Sequence, residues 1–370
     1  MNGALSLHSI GTIYEPTGYA NANRQMIKEL TKLQVSVRYT PIHPETVQIP
    51  IEADQAAFFN QLVHTALPPN HPVLIHYPAQ YFFKPVQQYT IGMTMFECHR
   101  LPRSWARMCN MMNEVWVPSR FNQESFARSG VPLHKLKVMP YGVDCDVFRK
   151  RPTSLSIPNL RSFVFLCICS FDDRKGVERL VAAFATEFSE QEDVCLLIKS
   201  RASSIEEIHR QHAQIKATAE RISGTPRPSI QLLSSVEAWS EEQLVDLYNL
   251  ADGYVLPTRG EGWSLTVMEA MACELPVITT NWSAHLDFLH EGNSFLIPIR
   301  GLVASSPSTP RICWADPDPI ALRQLMRHVV SHPEDARMKA AWARQTVAEQ
   351  YTWRQCAERI ALRLRELSIH

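Results

Sequence analysis

No run of about 18 consecutive apolar residues occurs in this 370-residue chain, so no membrane-spanning helix is expected. An excess of either charge is missing too. Lys+Arg and Asp+Glu each total 37 and the net charge is +0, so no basic field points to nucleic acid. The nine cysteines are odd in number and lack C-x-x-C spacing, which argues against a disulfide framework or a zinc knuckle and suits reduced thiols in a cytoplasmic protein. The N-terminal segment has no basic region followed by a long apolar stretch, so no secretory leader is expected. Glycine is scarce at 13 residues while proline reaches 25. Each glycine is therefore informative, and Gly18, Gly142, Gly176, Gly260 and Gly262 all fall in candidate site loops.

The length suggests two domains, and 45% hydrophobic with 20% charged residues suits a globular chain. The most informative stretch runs from Ala251 to Asp287. The apolar run Tyr254-Val255-Leu256 is stopped by Pro257 and followed by the turn Thr258-Arg259-Gly260-Glu261-Gly262. A helix-forming segment, Leu265 to Cys273, and a second strand, Pro276 to Thr279, complete a βαβ unit of a parallel sheet. Ligands of such sheets bind beyond the carboxyl ends of the strands. Backbone N–H groups at Gly262, Trp263 and Ser264, opening the helix, suit phosphate or a polar sugar edge.

Two carboxylates frame this unit, Glu261 in the loop and Glu269 in the helix, eight residues apart. That is roughly 12 Å along a helix, whereas paired glycosidase carboxylates sit about 5 to 9.5 Å apart. The spacing favours one extended ligand held at two ends over an acid and a base at one bond, and disfavours a glycoside hydrolase. A structural role for a buried helical Glu269 stays open.

With Glu261, Glu269, Ala270-Met271-Ala272 and Pro276-Val277-Ile278 in this order, the segment resembles the donor-binding motif of retaining glycosyltransferases of family 4, the group 1 enzymes of the GT-B fold. The resemblance implies that Glu261 contacts donor-sugar hydroxyls and Glu269 the ribose, with Arg259, Gly262, Trp263, Ser264 and Leu265 on the donor. The chain departs from the family at Arg259-Gly260, at Trp263-Ser264 in place of an aromatic-Gly pair, and at Glu274 in place of a common Gly.

Upstream, the strongly apolar strand Phe163 to Ser170 leads into the polar loop Phe171-Asp172-Asp173-Arg174-Lys175-Gly176 and then a helix from Val177 to Phe188. A cationic pair at the mouth of a βα loop suits a departing diphosphate. Lys175-Gly176 matches the family's Lys-Gly, while Ser170 occupies the place of its Arg, leaving Arg174 or Arg201 to serve. A surface Arg-Lys pair without a ligand is the plain alternative.

The first part of the chain reads as strand, Gly18 turn, helix Ala20 to Leu33 and strand Val35 to Tyr39. The resemblance places Gly18 against the donor phosphates, while an ordinary turn glycine would look the same. Arg24, Lys28 and Lys32 form a basic stripe, either a solvated face or a contact for anionic lipid. The strand Thr90 to Phe96 ends in Glu97-Cys98-His99-Arg100, and Glu97 is the family-like candidate near the transferred sugar. Asp144-Cys145-Asp146 fits a short metal-binding pattern but sits in a segment resembling one that binds no metal. Arg149 to Asn159, with Pro152 and Pro158, reads as an interdomain linker, and Gly301 to Arg311 as a loop.

The expectation is α/β, GT-B: two Rossmann-like parallel-sheet domains facing each other across a cleft. Residues 1–150 form the acceptor-side domain, with a C-terminal helix 353–370 packing back on it, and residues 151–352 the nucleotide-sugar donor domain. The resemblance implies a retaining, metal-independent transferase without cofactor, moving a hexose-type sugar from a nucleotide diphosphate sugar to a sugar or lipid-linked hydroxyl. It would work in the cytoplasm, with peripheral contact at the inner face of a membrane open. A sugar-nucleotide epimerase of the same fold and a degenerate, non-catalytic binding module are the alternatives.

Overall fold

The computed structural model describes residues 5–43, 49 and 51–368. The chain divides into two compact units, Met1–Gly142 with Gln350–His370, and Val143–Glu349. Among the described residues no helix is long and apolar enough to cross a membrane.

The first unit begins with β1 (Ser6–Gly11), α1 (Gly18–Lys32), β2 (Ser36–Pro41), α2 (Ala53–Val63) and β3 (Val73–His76). It continues with β4 (Thr90–Met93), α3 (Arg103–Met111), β5 (Glu114–Val117), α4 (Arg120–Arg128) and β6 (Leu136–Val138). The strands form a six-stranded sheet in the order β2-β1-β3-β4-β5-β6, parallel throughout. Strands β3, β4 and β5 are buried at every position, as expected of a parallel sheet covered on both faces. On α1, Ala22, Met26, Ile27 and Leu30 face the core as their spacing predicts.

The second unit runs β7 (Phe163–Ile168), α5 (Val177–Glu187), β8 (Val194–Arg201), α6 (Ile205–Ser223), β9 (Ile230–Ser235) and α7 (Glu241–Leu250). Then follow β10 (Gly253–Leu256), α8 (Leu265–Ala272), β11 (Val277–Thr280) and β12 (Phe295–Ile297). The hairpin β13 (Ile299–Ala304) and β14 (Cys313–Pro317) comes next, before α9 (Pro319–Ser331) and α10 (Pro333–Gln350). Its main sheet is also six-stranded, in the order β12-β11-β10-β7-β8-β9, and parallel. The last helix, α11 (Trp353–Ser368), belongs to the first unit, where Arg363 pairs with the buried Glu114. Gly142 makes that return possible. A Cβ there would stand 2.2 Å from the backbone nitrogen of Trp353.

Several expectations need correction. The segment 149–159 lies inside the second unit, fastened to α7: the Arg151 N–H donates to Asn249 Oδ1 at 2.7 Å and its guanidinium to Asp246 Oδ1 at 2.9 Å. The stretch 301–311 is partly strand, because β13 pairs antiparallel with β14. Strand β4 stops at Met93; the Thr94 N–H still donates to Trp116 O of β5, but Met95 and Phe96 leave the ladder, the Met95 N–H donating to the Tyr19 hydroxyl and the Phe96 N–H to Asn122 Oδ1. The basic stripe of α1 is engaged within its own unit. Arg24 donates to Ile13 O, Lys28 to Gln55 Oε1 and Lys32 to Glu29 Oε1.

Candidate functional site

Sheet order fixes where a site forms in the second unit. From β7 the chain winds outward through β8 and β9, then resumes on the other side with β10. The loops that follow β7 and β10 therefore leave neighbouring strands in opposite directions, and ligands of open α/β sheets bind at such a switch point. Lys175 lies in the first loop and Glu261 in the second.

Gly176 brings the two loops into contact. Its φ is +74°, and a Cβ would sit 2.4 Å from Pro257 O. A side chain at this position would be strained and would push the loops apart. Just before it, Asp172 accepts from the Lys175 N–H and fixes the turn. Lys175 Nζ then donates to Glu261 Oε1 at 2.7 Å, and Arg174 Nη1 lies 3.3 Å from the same oxygen. Thr258 Oγ1 donates to it at 2.8 Å. Burial opposes ionisation of Glu261, but the charges of Lys175 and Arg174 with these hydrogen bonds outweigh it and hold the carboxyl at about 2. Glu261 is thus a fixed carboxylate that accepts hydrogen bonds and does not deliver a proton at neutral pH.

The backbone around Glu261 is held in costly conformations. The Glu261 N–H donates to Ser283 Oγ at 3.0 Å, and Ser283 has φ +81° and ψ −159°, a region that costs a non-glycine residue roughly 1–3 kcal/mol. Ser264, the N-cap of α8, sits at φ +91°. Its hydroxyl is buried, with no hydrogen-bond partner among the described residues. The N-terminus of α8 and this hydroxyl meet at one point, which suits a polar or anionic ligand group.

Glu269 lies one side of α8 away and is buried. The Tyr248 hydroxyl donates to Glu269 Oε2 at 2.8 Å. Burial raises the Glu269 carboxyl to about 8, with the charge of Glu241 adding and the Tyr248 hydrogen bond opposing. The two carboxylates framing α8 therefore differ in kind: Glu261 is ionised by its cations, whereas Glu269 is kept protonated by its apolar surroundings.

The other expected residues sit in varied surroundings. The Trp263 side chain is core, its ring 5.0 Å from Phe288 and its Nε1 directed at Met268 Sδ. The Arg259 guanidinium pairs with Asp173 at 2.5 Å, donates to Ala315 O and covers the Trp314 ring at 4.7 Å. It clamps the loop to β14 in preference to reaching outward. Gly260 O accepts from Arg174, Gly262 is buried, and Leu265 begins α8 half-buried. Arg201 ends β8 and donates to Val236 O. Asp144 Oδ1 caps its own turn by accepting from the N–H groups of Asp146 and Val147. Gly18 and Glu97 belong to the first unit. Gly18 opens α1 after the N-cap Thr17, and Glu97 sits half-buried in the bend after β4.

Thr258, Ser283, Tyr248 and His285 escaped the sequence reading. His285 is fully buried, and its Nε2 donates to Thr280 O, leaving Nδ1 without a partner among the described residues. Burial keeps the ring neutral. Its place in the loop after β11, on the same sheet edge, was the available signal.

Residues 162–305 match the family model described as glycosyl transferases group 1. The matched residues lie in the second unit and resemble that family; Lys175, Glu261 and Glu269 fall within the matched span. A D-inositol 3-phosphate glycosyltransferase of Paenarthrobacter aurescens (strain TC1) is 26% identical over 240 residues, covering 63% of this chain and 52% of that protein. The capsular polysaccharide biosynthesis glycosyltransferase CapM of Staphylococcus aureus is 27% identical over 127 residues, covering 34% and 30%. The chain thus spans about half, or less, of the length of the curated relatives it matches. Sucrose-phosphate synthase from Thermosynechococcus elongatus superposes with TM-score 0.72 at 17% identity, over 99% of both chains. Anabaena HepE in complex with UDP and glucose gives 0.69 at 13%, over 97% of this chain and 99% of that one. At these identities the likeness establishes the fold, which is the GT-B architecture of two parallel-sheet units.

Proposed function

We propose that the protein is a retaining, metal-independent glycosyltransferase that moves a hexose from a nucleotide diphosphate sugar to a hydroxyl of a glycan, a lipid-linked sugar or a small molecule. The observation that carries this reading is the Lys175–Glu261 pair at the switch point, beside the N-terminus of α8. A nucleotide sugar needs both halves of it. Its diphosphate leaves with developing negative charge, which Lys175 and Arg174 offset electrostatically. Its sugar presents hydroxyls, which the ionised Glu261 accepts, while Ser264 and the adjoining amides of Gly262, Trp263 and Leu265 hold the sugar–phosphate edge. Glu269 takes the ribose, with the proton state that its burial sets.

In the first unit, the family resemblance alone assigns Gly18 to the donor phosphates and Glu97 to the transferred sugar. The leaving phosphate assists removal of the acceptor proton, so no dedicated general base is required. The HepE structure is in complex with UDP and glucose, which supports a nucleotide-sugar donor here. The transfer proposed here takes place in the cytoplasm, at the inner face of a membrane where the acceptor is lipid-linked.

Incubating the purified protein with a panel of nucleotide sugars and hydroxyl acceptors in the presence of a chelator tests the reading. Release of a nucleoside diphosphate with a product of unchanged anomeric configuration supports it. Epimerised nucleotide sugar as the product, or nucleotide binding without any release, would replace it with an epimerase or a binding module.

A further inference from the structure

The first unit has a switch point of its own. In the order β2-β1-β3-β4-β5-β6 the winding reverses between β1 and β3, so the segments after those strands diverge there. Glu15 follows β1, Tyr77 follows β3, and His43 follows β2. Their side chains converge. His43 Nε2 lies 2.7 Å from the Tyr77 hydroxyl, that hydroxyl is 3.4 Å from Glu15 Oε2, and His43 Nε2 is 3.6 Å from Glu15 Oε1. Tyr81 covers one side of the group, its ring 5.2 Å from Tyr77 and 6.3 Å from His43.

We propose that Glu15, His43, Tyr77 and Tyr81 form a binding site for a pyranose ring, the acceptor sugar of the transfer proposed above. This assignment rests on the transferase reading only for the word acceptor; the sugar site stands on its own geometry. Tyr81 is 48% exposed, unlike the core aromatics of this unit, so its face is open to a ligand. An aromatic face packs against the C–H face of a pyranose, and adjacent polar groups take its hydroxyls. Glu15 supplies the strongest hydroxyl acceptor, with a side chain 15% exposed beside His43 at 35%. The cluster carries one carboxylate and an imidazole, which suits a neutral polyol and not a phosphate. Beneath it, the Tyr19 ring stands 5.9 Å from Tyr77 and its hydroxyl bonds to Thr94 at 3.0 Å.

Ligand-observed NMR on the full chain, with the methyl α- and β-pyranosides of glucose, galactose and mannose, tests the site. At least one glycoside binds the wild type, Tyr81→Ala weakens it tenfold or more, Tyr81→Phe keeps it, and Glu15→Gln weakens it severalfold. Calorimetric binding of nucleoside diphosphates stays unchanged in these variants, which separates the site from the Lys175–Glu261 loops and shows that the variants fold. Lys175→Ala gives the reverse pattern. Absence of binding by every glycoside, or equal binding in wild type, Tyr81→Ala and Glu15→Gln, overturns the proposal, while failure of nucleotide binding alone strikes only the transferase reading.

Discussion

Lys175 Nζ and Glu261 Oε1 are 2.7 Å apart and join the loop after β7 to the loop after β10. The bond joins a cation suited to a diphosphate to a carboxylate suited to sugar hydroxyls. Lys175→Ala removes the cation while Arg174 and Thr258 still hold Glu261. Destabilisation should therefore stay below the roughly 3–5 kcal/mol of an orphaned buried charge. Turnover should fall by about 10²–10³ if the ammonium stabilises the departing diphosphate. Nucleoside diphosphate release, measured beside a thermal melt, checks both, and unchanged turnover would sink the assigned role.

Two departures from the resembled family turn out to be backbone positions. Ser264 and Glu274 stand where the family commonly has Gly, and their φ values are +91° and +58°. Glu274 closes α8: its N–H donates to Met271 O, and the Leu275 N–H to Ala270 O, the paired bonds of a glycine-favouring helix end. An L-residue there costs roughly 1–2 kcal/mol. Glu274→Gly should therefore stabilise the protein by about 1 kcal/mol with no effect on nucleotide affinity. Ser264→Gly should stabilise it similarly but weaken donor binding, since it deletes the unpartnered hydroxyl. Denaturant melts and calorimetry read the two effects separately, and a destabilised Glu274→Gly would contradict the strain argument.

The second unit was largely legible because its chemistry lies on consecutive strand, loop and helix segments. Val177 to Phe188 and the Glu261–Glu269 unit both read locally. The long-range pieces did not. Tyr248 reaches Glu269 from a different helix, and Ser283 reaches the Glu261 backbone from the loop after β11. Neither contact has a spacing signature. In α6 the spacing of Ile208, His212, Ile215 and Ala219 predicts an apolar stripe, whereas the buried positions are Gln211, Ile215, Thr218 and Ala219, because Gln211 bonds to Ser234 inside the unit. The β13–β14 hairpin was obscured by its Ser- and Pro-rich turn. In the first unit, Glu15, His43 and Tyr77 are single residues in separate loops, brought together only by sheet order.

Gly176→Ala probes whether contact between the loops sets the site. The new Cβ would lie 2.4 Å from Pro257 O at a φ of +74°. Left-handed strain and the clash together should cost about 2–4 kcal/mol. Because Lys175 precedes this residue, its ammonium should shift away from Glu261, so turnover should drop more than nucleotide affinity does. A variant as stable as the wild type would show that the loops adjust freely, contrary to the packing seen here.

Glu269 gives a prediction in pH. Its carboxyl is raised to about 8 in the folded protein, whereas an unfolded glutamate titrates near about 4.3. Between those values the native state holds a proton that the unfolded state has lost, so this group makes stability fall as pH rises. Its contribution is full below about pH 4.3 and is lost progressively as pH climbs through about 8, over a total on the order of a few kcal/mol. Glu269→Gln keeps the shape and a partner for the Tyr248 hydroxyl but cannot ionise. Its stability relative to wild type should therefore increase steadily from pH 5 to pH 8, as followed by urea melts at fixed ionic strength. Parallel pH profiles for the two proteins would mean that Glu269 is already ionised in the fold. Nucleotide affinity adds a second reading: Glu269→Ala, which removes the ribose contact outright, should weaken nucleoside diphosphate binding at every pH in that range.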